Sequence, residues 1–484
     1  MSATRSTPST APLLVVRPAG EEHGWHANRL EVLVMIHVAG LLVFTAWDFG
    51  GETDFARLVI SWWGSLALPL AGLVCLRRFE RRDGLPAALH WLWPLIAFDG
   101  LVLLSTLNPS FSYAMIGGVR AMIHTGARSS WPSSALPATS LQELWQFNAI
   151  YLTCFNLAIA VIRRRILRAL LLIFTVNALA LAVMGTFQKL ADAPGLYFGL
   201  QHSPNSEFFA TFIYHNHWGA YVTLCTAAAL ALLFHHARHS DGGERHSPVF
   251  FGLVATLFLA AAVPLSTSRS GALLVSTLLA GAFVHWLRHV RRKRRAAGRS
   301  MAGPLALAAI VVALAVCGIY LLGRPIIDQR LDTTRQQIET IRLRGNLGNR
   351  TQLYADTWRM ARQKLWFGWG LGTYGVVFQL FNQQVSVEGW IPFYREAHSD
   401  WLQALAEVGL VGTALLVLMA AVPLAAVLRL GPPGVVPAYL LAGCGLLAVY
   451  ALVEFPFANP AVLEAFWCCL FTAVRYHKLT IANA

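Results

Sequence analysis

The chain has 484 residues, of which 56% are hydrophobic and only 13% are charged, and its mean hydropathy is +0.53. Soluble proteins carry about 25% charged residues, so a chain of this length with so little charge is not a soluble enzyme. Its formal net charge is +14, but the basic residues stand in short runs between apolar segments, which indicates membrane topology and argues against nucleic-acid binding.

Twelve apolar segments approach the length of about 20 residues that a helix needs to cross a bilayer. Residues 1–29 are polar and Pro-rich, and we predict that they form a cytoplasmic tail. Residues 30–484 are predicted to form one all-α membrane domain. The predicted spans are 30–47, 58–76, 89–107, 147–162, 166–187, 217–234, 249–265, 271–288, 303–322, 400–428, 435–454 and 461–474.

Lysine and arginine are concentrated in alternate loops, of which 163–168 and 288–299 are the most basic. Because cytoplasmic loops are rich in these residues, we predict that both termini and the basic loops are cytoplasmic. Three long segments, near 108–146, 188–216 and 323–399, then lie on the outer side.

The longest outer segment, 323–399, lies between spans 9 and 10 and has helical patterning of its own. Apolar residues recur at helical spacing in 328–344 and again in 350–368, which predicts two amphipathic helices at the outer membrane surface. The second ends at a glycine, a common helix stop.

Unusual polar residues gather on this predicted outer side, at the entrances to spans 6 and 10 and in the short turn before span 8. A group of histidines and arginines on one face suits an anionic, lipid-linked substrate. Taken singly, the arginine in the turn could be an ordinary interfacial arginine, and the histidines could be structural. The residues are His215, Asn216, His217, Arg269, Arg350, Glu396, His398 and Asp400.

Histidines 215 and 217 are one residue apart, a spacing that also occurs in metal sites. No carboxylate motif accompanies His215 and His217, and the seven cysteines form no C-x-x-C pair. We therefore predict no metal site and no disulfide framework.

Three segments resemble the O-antigen ligase and polymerase superfamily of bacterial membrane glycosyltransferases. Arg269 and Leu273 are similar to the family's R-x-x-x-L element. His398-Ser399, followed after nine residues by Gly409-Leu410-Val411-Gly412, is similar to the ligase histidine motif. Residues 345–375 resemble the family's arginine-to-glycine-rich segment, and Tyr214-His215-Asn216-His217-Trp218 looks like its entry to an earlier span. The resemblance covers about 185–475.

The resemblance implies a GT-C-like helical bundle in the bacterial inner membrane, with its active site on the periplasmic side. Such an enzyme takes a glycan from a polyprenyl carrier, undecaprenyl diphosphate, and passes it to a hydroxyl of a glycan or lipid A core acceptor. The process would be lipopolysaccharide or surface polysaccharide assembly. The implied reaction is inverting and needs neither a metal nor another cofactor.

The residue chemistry agrees with this implied reaction. Arginine makes forked, permanently charged contacts to phosphate, so Arg269, with Arg350 as second candidate, is predicted to stabilise the departing diphosphate. His398 is predicted to be the general base that takes the acceptor's proton. Glu396 or Asp400 is predicted to orient its imidazole or bind substrate. His215, Asn216 and His217 are predicted to bind donor or acceptor.

One departure from the family pattern leaves the assignment open. The segment 188–218 has no arginine, although ligases of the family usually carry one before span 6. Either His215 or Lys189 takes its place, or the donor is bound differently. Polymerase therefore remains an alternative to ligase, followed by protein O-oligosaccharyltransferase. A transporter or flippase is disfavoured, because the spans are nearly free of charge and show no repeat.

Overall fold

The protein is described here from a computed structural model. The residues that it describes are 25–80, 82, 84–125, 131–239, 248–310, 349–384 and 391–482, with eight scattered positions between 312 and 335.

The architecture is a bundle of helices with one small hairpin. Short single-turn or 3-10 segments occur in some of the connections. The main helices are α1 (Trp25–Trp47), α2 (Asp54–Ser65), α3 (Ala67–Glu80), α4 (Trp93–Thr106), α5 (Pro137–Ala160), α6 (Arg164–Leu190), α7 (His215–His239), α8 (Pro248–Leu265), α9 (Arg269–Ala296), α10 (Asn349–Gln363), α11 (Asp400–Leu428), α12 (Val435–Tyr450) and α13 (Pro460–Ile481).

Within the described part of the chain, eight helical segments are long and apolar enough to cross a membrane. They coincide with predicted spans, the second being α2 and α3 taken together. Helices α5, α12 and α13 match three more predicted spans, although α12 is shorter, and α5 and α13 carry buried polar groups such as Asn156 and Glu464. Of the predicted span 303–322, residues 303–310 are helical, and seven of the remaining twelve residues fall outside the described ones. The membrane bundle is therefore confirmed, and the number twelve stays a prediction.

Helix α7 is the centre of the bundle. It contacts α6, α8, α9, α12 and α13. Nearly all residues of its apolar, membrane-spanning stretch are buried inside the protein. Small and aromatic apolar residues surround it on every face, as expected for a helix with no solvent or lipid side. Because α7 starts at His215, its polar first turn lies at the middle of one end of the bundle.

The predicted outer segment 108–146 contains a hairpin that the sequence analysis missed. Strands β1 (Phe111–Ile116) and β2 (Val119–His124) pair antiparallel, with Phe111 opposite His124 and Ile116 opposite Val119. Gly117 and Gly118 have φ of +59° and +82°, the left-handed conformation that a tight two-residue hairpin turn requires. The all-α prediction is wrong for this segment, and α5 begins at Pro137 rather than near 147.

Of the two helices predicted in the longest outer segment, the second is present as α10. It ends at Gln363, before the predicted boundary at 368, while almost all of 328–344 lies outside the described residues. Leu353 and Met360 of α10 are buried in a small core that also contains Trp369, Phe378 and Ala406. Helix α10 therefore packs onto α11 as part of the protein.

Helix α11 was predicted as one continuous span, but its backbone is broken at Gly409. The φ and ψ of Gly409 are +66° and −172°, a combination that is essentially confined to glycine. At the break, the Leu410 and Val411 N–H groups donate to the carbonyls of Leu365 and Trp366 at 2.8 and 3.1 Å. The break therefore lets the glycine-rich segment after α10 pair with α11.

The glycine-rich segment 366–374 makes further bonds to the turn of α11 that precedes the break. The Gly370 N–H donates to the Glu407 carbonyl at 2.7 Å. The Glu407 carboxylate accepts from the N–H groups of Gly372 and Tyr374 at 2.8 and 3.1 Å. These bonds fix the N-terminal part of α11, which begins two residues after His398.

We predict that Gly409→Ala severely destabilises the protein. A Cβ at this position would lie 2.4 Å from the backbone of Trp366, and the conformation alone costs about 1–3 kcal/mol for other residues. Thermal unfolding in detergent should show a clear fall in Tm. The control is Gly281→Ala in α9, where a Cβ meets no atom within 4 Å and alanine favours the helix. Equal Tm values for the two variants would contradict this account of α11.

Candidate functional site

Glu454 lies where several predicted site residues meet. Its side chain is 6% exposed, and its Oε1 accepts from Arg350 Nη2 at 2.5 Å and from Asn216 Nδ2 at 3.2 Å. Its Oε2 lies 3.8 Å from Nδ1 of His398. Three elements that are distant in sequence, the start of α7, the start of α10 and the segment before α11, thus converge on one carboxylate.

The surroundings keep the Glu454 carboxyl ionised. Burial on its own raises the pKa of this group, but His398 and Arg350 together outweigh burial and hold the pKa below its usual 4.5. A buried carboxylate is stable only when it is paired and hydrogen-bonded, and Glu454 has both kinds of partner. The Arg350 side chain is 48% exposed, so it also remains open to solvent.

Asn216 connects Glu454 to the turn before α9. Its amide nitrogen also donates to the hydroxyl of Tyr214 at 2.7 Å. Its oxygen accepts from the hydroxyls of Ser268 and Ser270 at 2.8 and 3.2 Å. Because every polar atom of its side chain is engaged, Asn216 fixes the α8–α9 turn against the start of α7.

Arg269 is the first residue of α9, between the two serines that Asn216 holds, and it is exposed. The turn approaches α7 very closely: a Cβ on Gly219 would lie 2.6 Å from Ser268 Oγ, and one on Gly271 would lie 2.7 Å from Gly219 Cα. The small residues of this turn therefore place Arg269 at the same end of the bundle as Glu454.

His398 has an unusual backbone, with φ of +53°. Such a conformation costs about 1–3 kcal/mol for a non-glycine residue and needs support. The Tyr354 hydroxyl donates to its carbonyl at 2.9 Å, and Ser399, the next residue, caps α11. The imidazole packs edge-on against Phe455 with ring centroids 4.6 Å apart.

A second histidine–carboxylate pair also contacts Phe455. His217 Nδ1 is 2.8 Å from Glu52 Oε1, which also accepts from Asn459 Nδ2 at 2.8 Å. The His217 ring is 5.1 Å from Phe455. Burial raises the pKa of Glu52, but His217 and Asn459 outweigh it and leave the pKa below its usual value.

His215 contacts Glu207 rather than Glu454. Its Nδ1 lies 3.1 Å from the Glu207 carbonyl and 3.3 Å from the Glu207 carboxylate. Lys189, the other candidate for the missing family arginine, lies over the ring of Phe208 at 4.7 Å. His215 and Lys189 thus both lie at the 207–208 segment. His215 and His217 face separate carboxylates, and no group of three metal-ligating side chains occurs among the described residues.

Glu396 and Asp400 do not orient His398, so that prediction is wrong. The Glu396 carboxylate accepts from Gln403 Nε2 at 2.7 Å, and burial raises its pKa. The Asp400 carboxylate accepts from the Phe457 N–H at 2.9 Å. The carboxylate beside His398 is Glu454, the last residue of the predicted span 435–454, which was not among the predicted site residues.

The signal that could have identified Glu454 was its position. It stands at the end of the predicted span 435–454, on the predicted outer side, and is an acidic residue in an otherwise apolar stretch. A group of histidines and arginines on one face needs a counter-charge. An acidic residue on that face, Glu454, is therefore a candidate site residue.

Comparison with known families agrees with the motifs. A family model described as O-antigen ligase matches residues 254–417. The match supports the O-antigen ligase and polymerase superfamily. The match contains Arg269, Arg350 and His398, whereas Asn216 and Glu454 lie outside it, so it is narrower than the resemblance over about 185–475. No curated protein matches the chain.

The matched domain supports a glycosyltransferase-type membrane enzyme. In this O-antigen ligase-like chain, the structure brings His398, Arg350 and Asn216 together at Glu454 and places Arg269 in the adjoining turn. It leaves His215 with Glu207 and gives Glu396 and Asp400 internal partners.

The paired state of Glu454 predicts a pH dependence of stability. Its folded pKa lies below 4.5, so the pair's contribution is fully present above about pH 4.5 and is lost as the pH falls through the folded pKa. We expect Glu454→Gln to lower Tm by a constant amount from pH 8 to about pH 5, and by less in stronger acid.

Glu396→Gln is the matched control, because its carboxyl is buried and its pKa is shifted the other way. The ionised form is penalised in the folded state, so this substitution should leave Tm unchanged or raise it at neutral pH. A Glu454→Gln deficit that grows on acidification would show that the carboxylate is not held ionised.

Proposed function

We propose that this protein is an O-antigen ligase-type glycosyltransferase. It transfers a glycan from a polyprenyl diphosphate carrier, undecaprenyl diphosphate, to an acceptor hydroxyl at the periplasmic face of the bacterial inner membrane. The observation that carries the proposal is the sharing of Glu454 by His398 and Arg350, since a base with its orienting carboxylate and a phosphate-binding cation then stand side by side.

In the proposed reaction, His398 is the general base. Its Nδ1 faces Glu454 at 3.8 Å, so a proton on Nδ1 points at the carboxylate and the lone pair on Nε2 remains for the acceptor. The separation is longer than the about 3 Å of an N–H···O hydrogen bond, and catalytic contacts of this kind often tighten only with substrate bound. Glu454 is then a positioning residue that sets the tautomer and stabilises the imidazolium.

The arginines stabilise the leaving group. The acceptor oxygen bonds to the anomeric carbon as the bond from that carbon to the diphosphate oxygen breaks, with inversion at the carbon, and His398 takes the acceptor's proton. Negative charge therefore grows on the lipid diphosphate. Arg269 and the solvent-open face of Arg350 are assigned to it, because preorganised charge at such a position is often the largest catalytic contribution.

The polar residues around this centre are assigned to substrate binding. Asn216 and His217 lie next to the pair, and His215 with Lys189 offers positive charge where the family arginine is absent. The substrate-binding assignment of Glu396 and Asp400 stays a prediction. Independence from metals is also a prediction, and transfer that continues in excess chelator would support it.

The alternative within the superfamily is a polymerase that extends the glycan repeat, followed by a protein O-oligosaccharyltransferase. All three use the same donor chemistry and differ in the acceptor. Purified protein should be incubated with lipid-linked glycan and, separately, lipid A core, a second lipid-linked repeat and an acceptor protein. Transfer to the core supports the ligase; transport without any transfer would contradict the enzyme proposal.

We predict that His398→Ala lowers transfer by about 10²- to 10⁴-fold and Arg269→Ala by about 10²- to 10³-fold, with normal protein levels in the membrane. Arg269→Lys should also be impaired, because lysine lacks the forked contact. Glu454→Gln should lower kcat more than it changes KM. The measurement is single-turnover transfer with purified protein.

The matched control is Arg292→Ala, at the opposite end of α9 from Arg269. It removes the same charge from the same helix without touching the proposed centre, and it should retain wild-type transfer. Wild-type rates in the His398 and Arg269 variants would refute the site assignment.

A further inference from the structure

A basic cavity of about 430 Å³ lies at the end of the bundle opposite His398. Four helices meet there: the starts of α6 and α12 and the ends of α7 and α13. Gly434, Val435, Val436 and Thr480 complete its wall. The charged and aromatic side chains that line it are Arg164, Arg168, His235, Arg238 and Tyr476.

The position of the cavity is fixed by α7. His215 and His235 stand near the two ends of this helix, and at about 1.5 Å per residue the two are separated by about 30 Å. The hydrocarbon core of a bilayer is about 30 Å thick. The cavity therefore lies at headgroup depth in the leaflet opposite the proposed catalytic centre.

Three arginines bring positive charge to the cavity. None of Arg164, Arg168 and Arg238 has a carboxylate within 4 Å among the residues the structure describes. Arg168 donates to the Tyr476 hydroxyl at 3.2 Å, and Arg238 lies 3.5 Å from His285 Nε2. Three arginines therefore line one cavity, and the partners described for them are a tyrosine and a histidine. This arrangement favours the binding of an anion.

Helix α12 adds to this field. It begins at the cavity, and its N-cap, Gly434, has no side chain to satisfy the first turn. The N–H groups of Val435 and Val436 belong to that turn and have no partner inside the helix, and they give the helix end a partial positive charge. Backbone donors thus reinforce the arginines.

We propose that this cavity binds the phosphate headgroup of an anionic phospholipid of the opposite leaflet. Bidentate arginine contacts suit a phosphodiester, and basic pockets between membrane helices suit such headgroups. The walls at Val435 and Val436 are apolar, and the turn before α12 exposes Leu428 and Leu430, which gives acyl chains a surface to follow. A zwitterionic headgroup would bring its own ammonium toward the arginines and bind more weakly.

The test uses full-length protein, purified and delipidated in detergent. Native mass spectrometry and Tm should be recorded with short-chain phosphatidylglycerol, with phosphatidylcholine of the same chain length, and with inorganic phosphate. We expect phosphatidylglycerol to remain bound and to raise Tm, and the other two to do neither. An equal response to phosphatidylcholine would overturn the proposal, and an equal response to phosphate would assign the site to a free anion.

The variant is Arg164→Gln/Arg168→Gln, which should weaken phosphatidylglycerol binding at least tenfold. Its matched control is Arg291→Gln/Arg292→Gln, which removes two charges from the end of α9 outside the cavity. If the double variant does not fold, Arg238→Gln provides the same comparison at an exposed position. Equal binding by cavity and control variants would contradict the site. The outcome is independent of the proposed transferase reaction.

Discussion

The buried Glu454 carboxylate and its three partners organise one end of this membrane bundle. Removing a carboxylate from water without partners costs several kcal/mol, so its burial requires that Arg350, Asn216 and His398 approach it. Those partners come from the starts of α10 and α7 and from the segment before α11. The same interaction that stabilises the loops at this end of the bundle therefore also determines where His398 and Arg350 stand.

The glycines of the family motifs have structural explanations. Gly409 allows the break in α11 that receives the backbone of the segment after α10. Gly219 and Gly271 allow α7 and the α8–α9 turn to touch. Both arrangements set the positions of polar residues: His398, eleven residues before Gly409, and Arg269, two residues before Gly271. The spacing between His398 and Gly409 thus reflects the length of helix between that histidine and the break.

The sequence predicted the membrane bundle, most of its helix positions, and the family. These follow from hydrophobic run length and from the spacing of a few motif residues, which are local properties. It did not predict the hairpin at 111–124, although paired glycines at 117–118 are a turn signal, because the surrounding segment was read as a Ser-, Gly- and Pro-rich loop. It also failed for Glu396 and Asp400, since proximity in sequence to His398 does not decide which carboxylate faces the imidazole. Glu454 lies beside His398 through tertiary contacts, among them the bond from the Asp400 N–H to the Glu454 carbonyl at 3.1 Å.

The central claim is that Glu454, Arg350 and His398 act as one unit. A double-mutant cycle on single-turnover transfer rates, with Glu454→Gln, Arg350→Gln and the double variant, tests it most directly. The account predicts strong coupling: the double variant should be about as slow as the slower single variant, with an interaction free energy of about 0.5–3 kcal/mol. Losses that simply add, with protein levels unchanged, would show that the two residues contribute independently and would contradict the shared-carboxylate account.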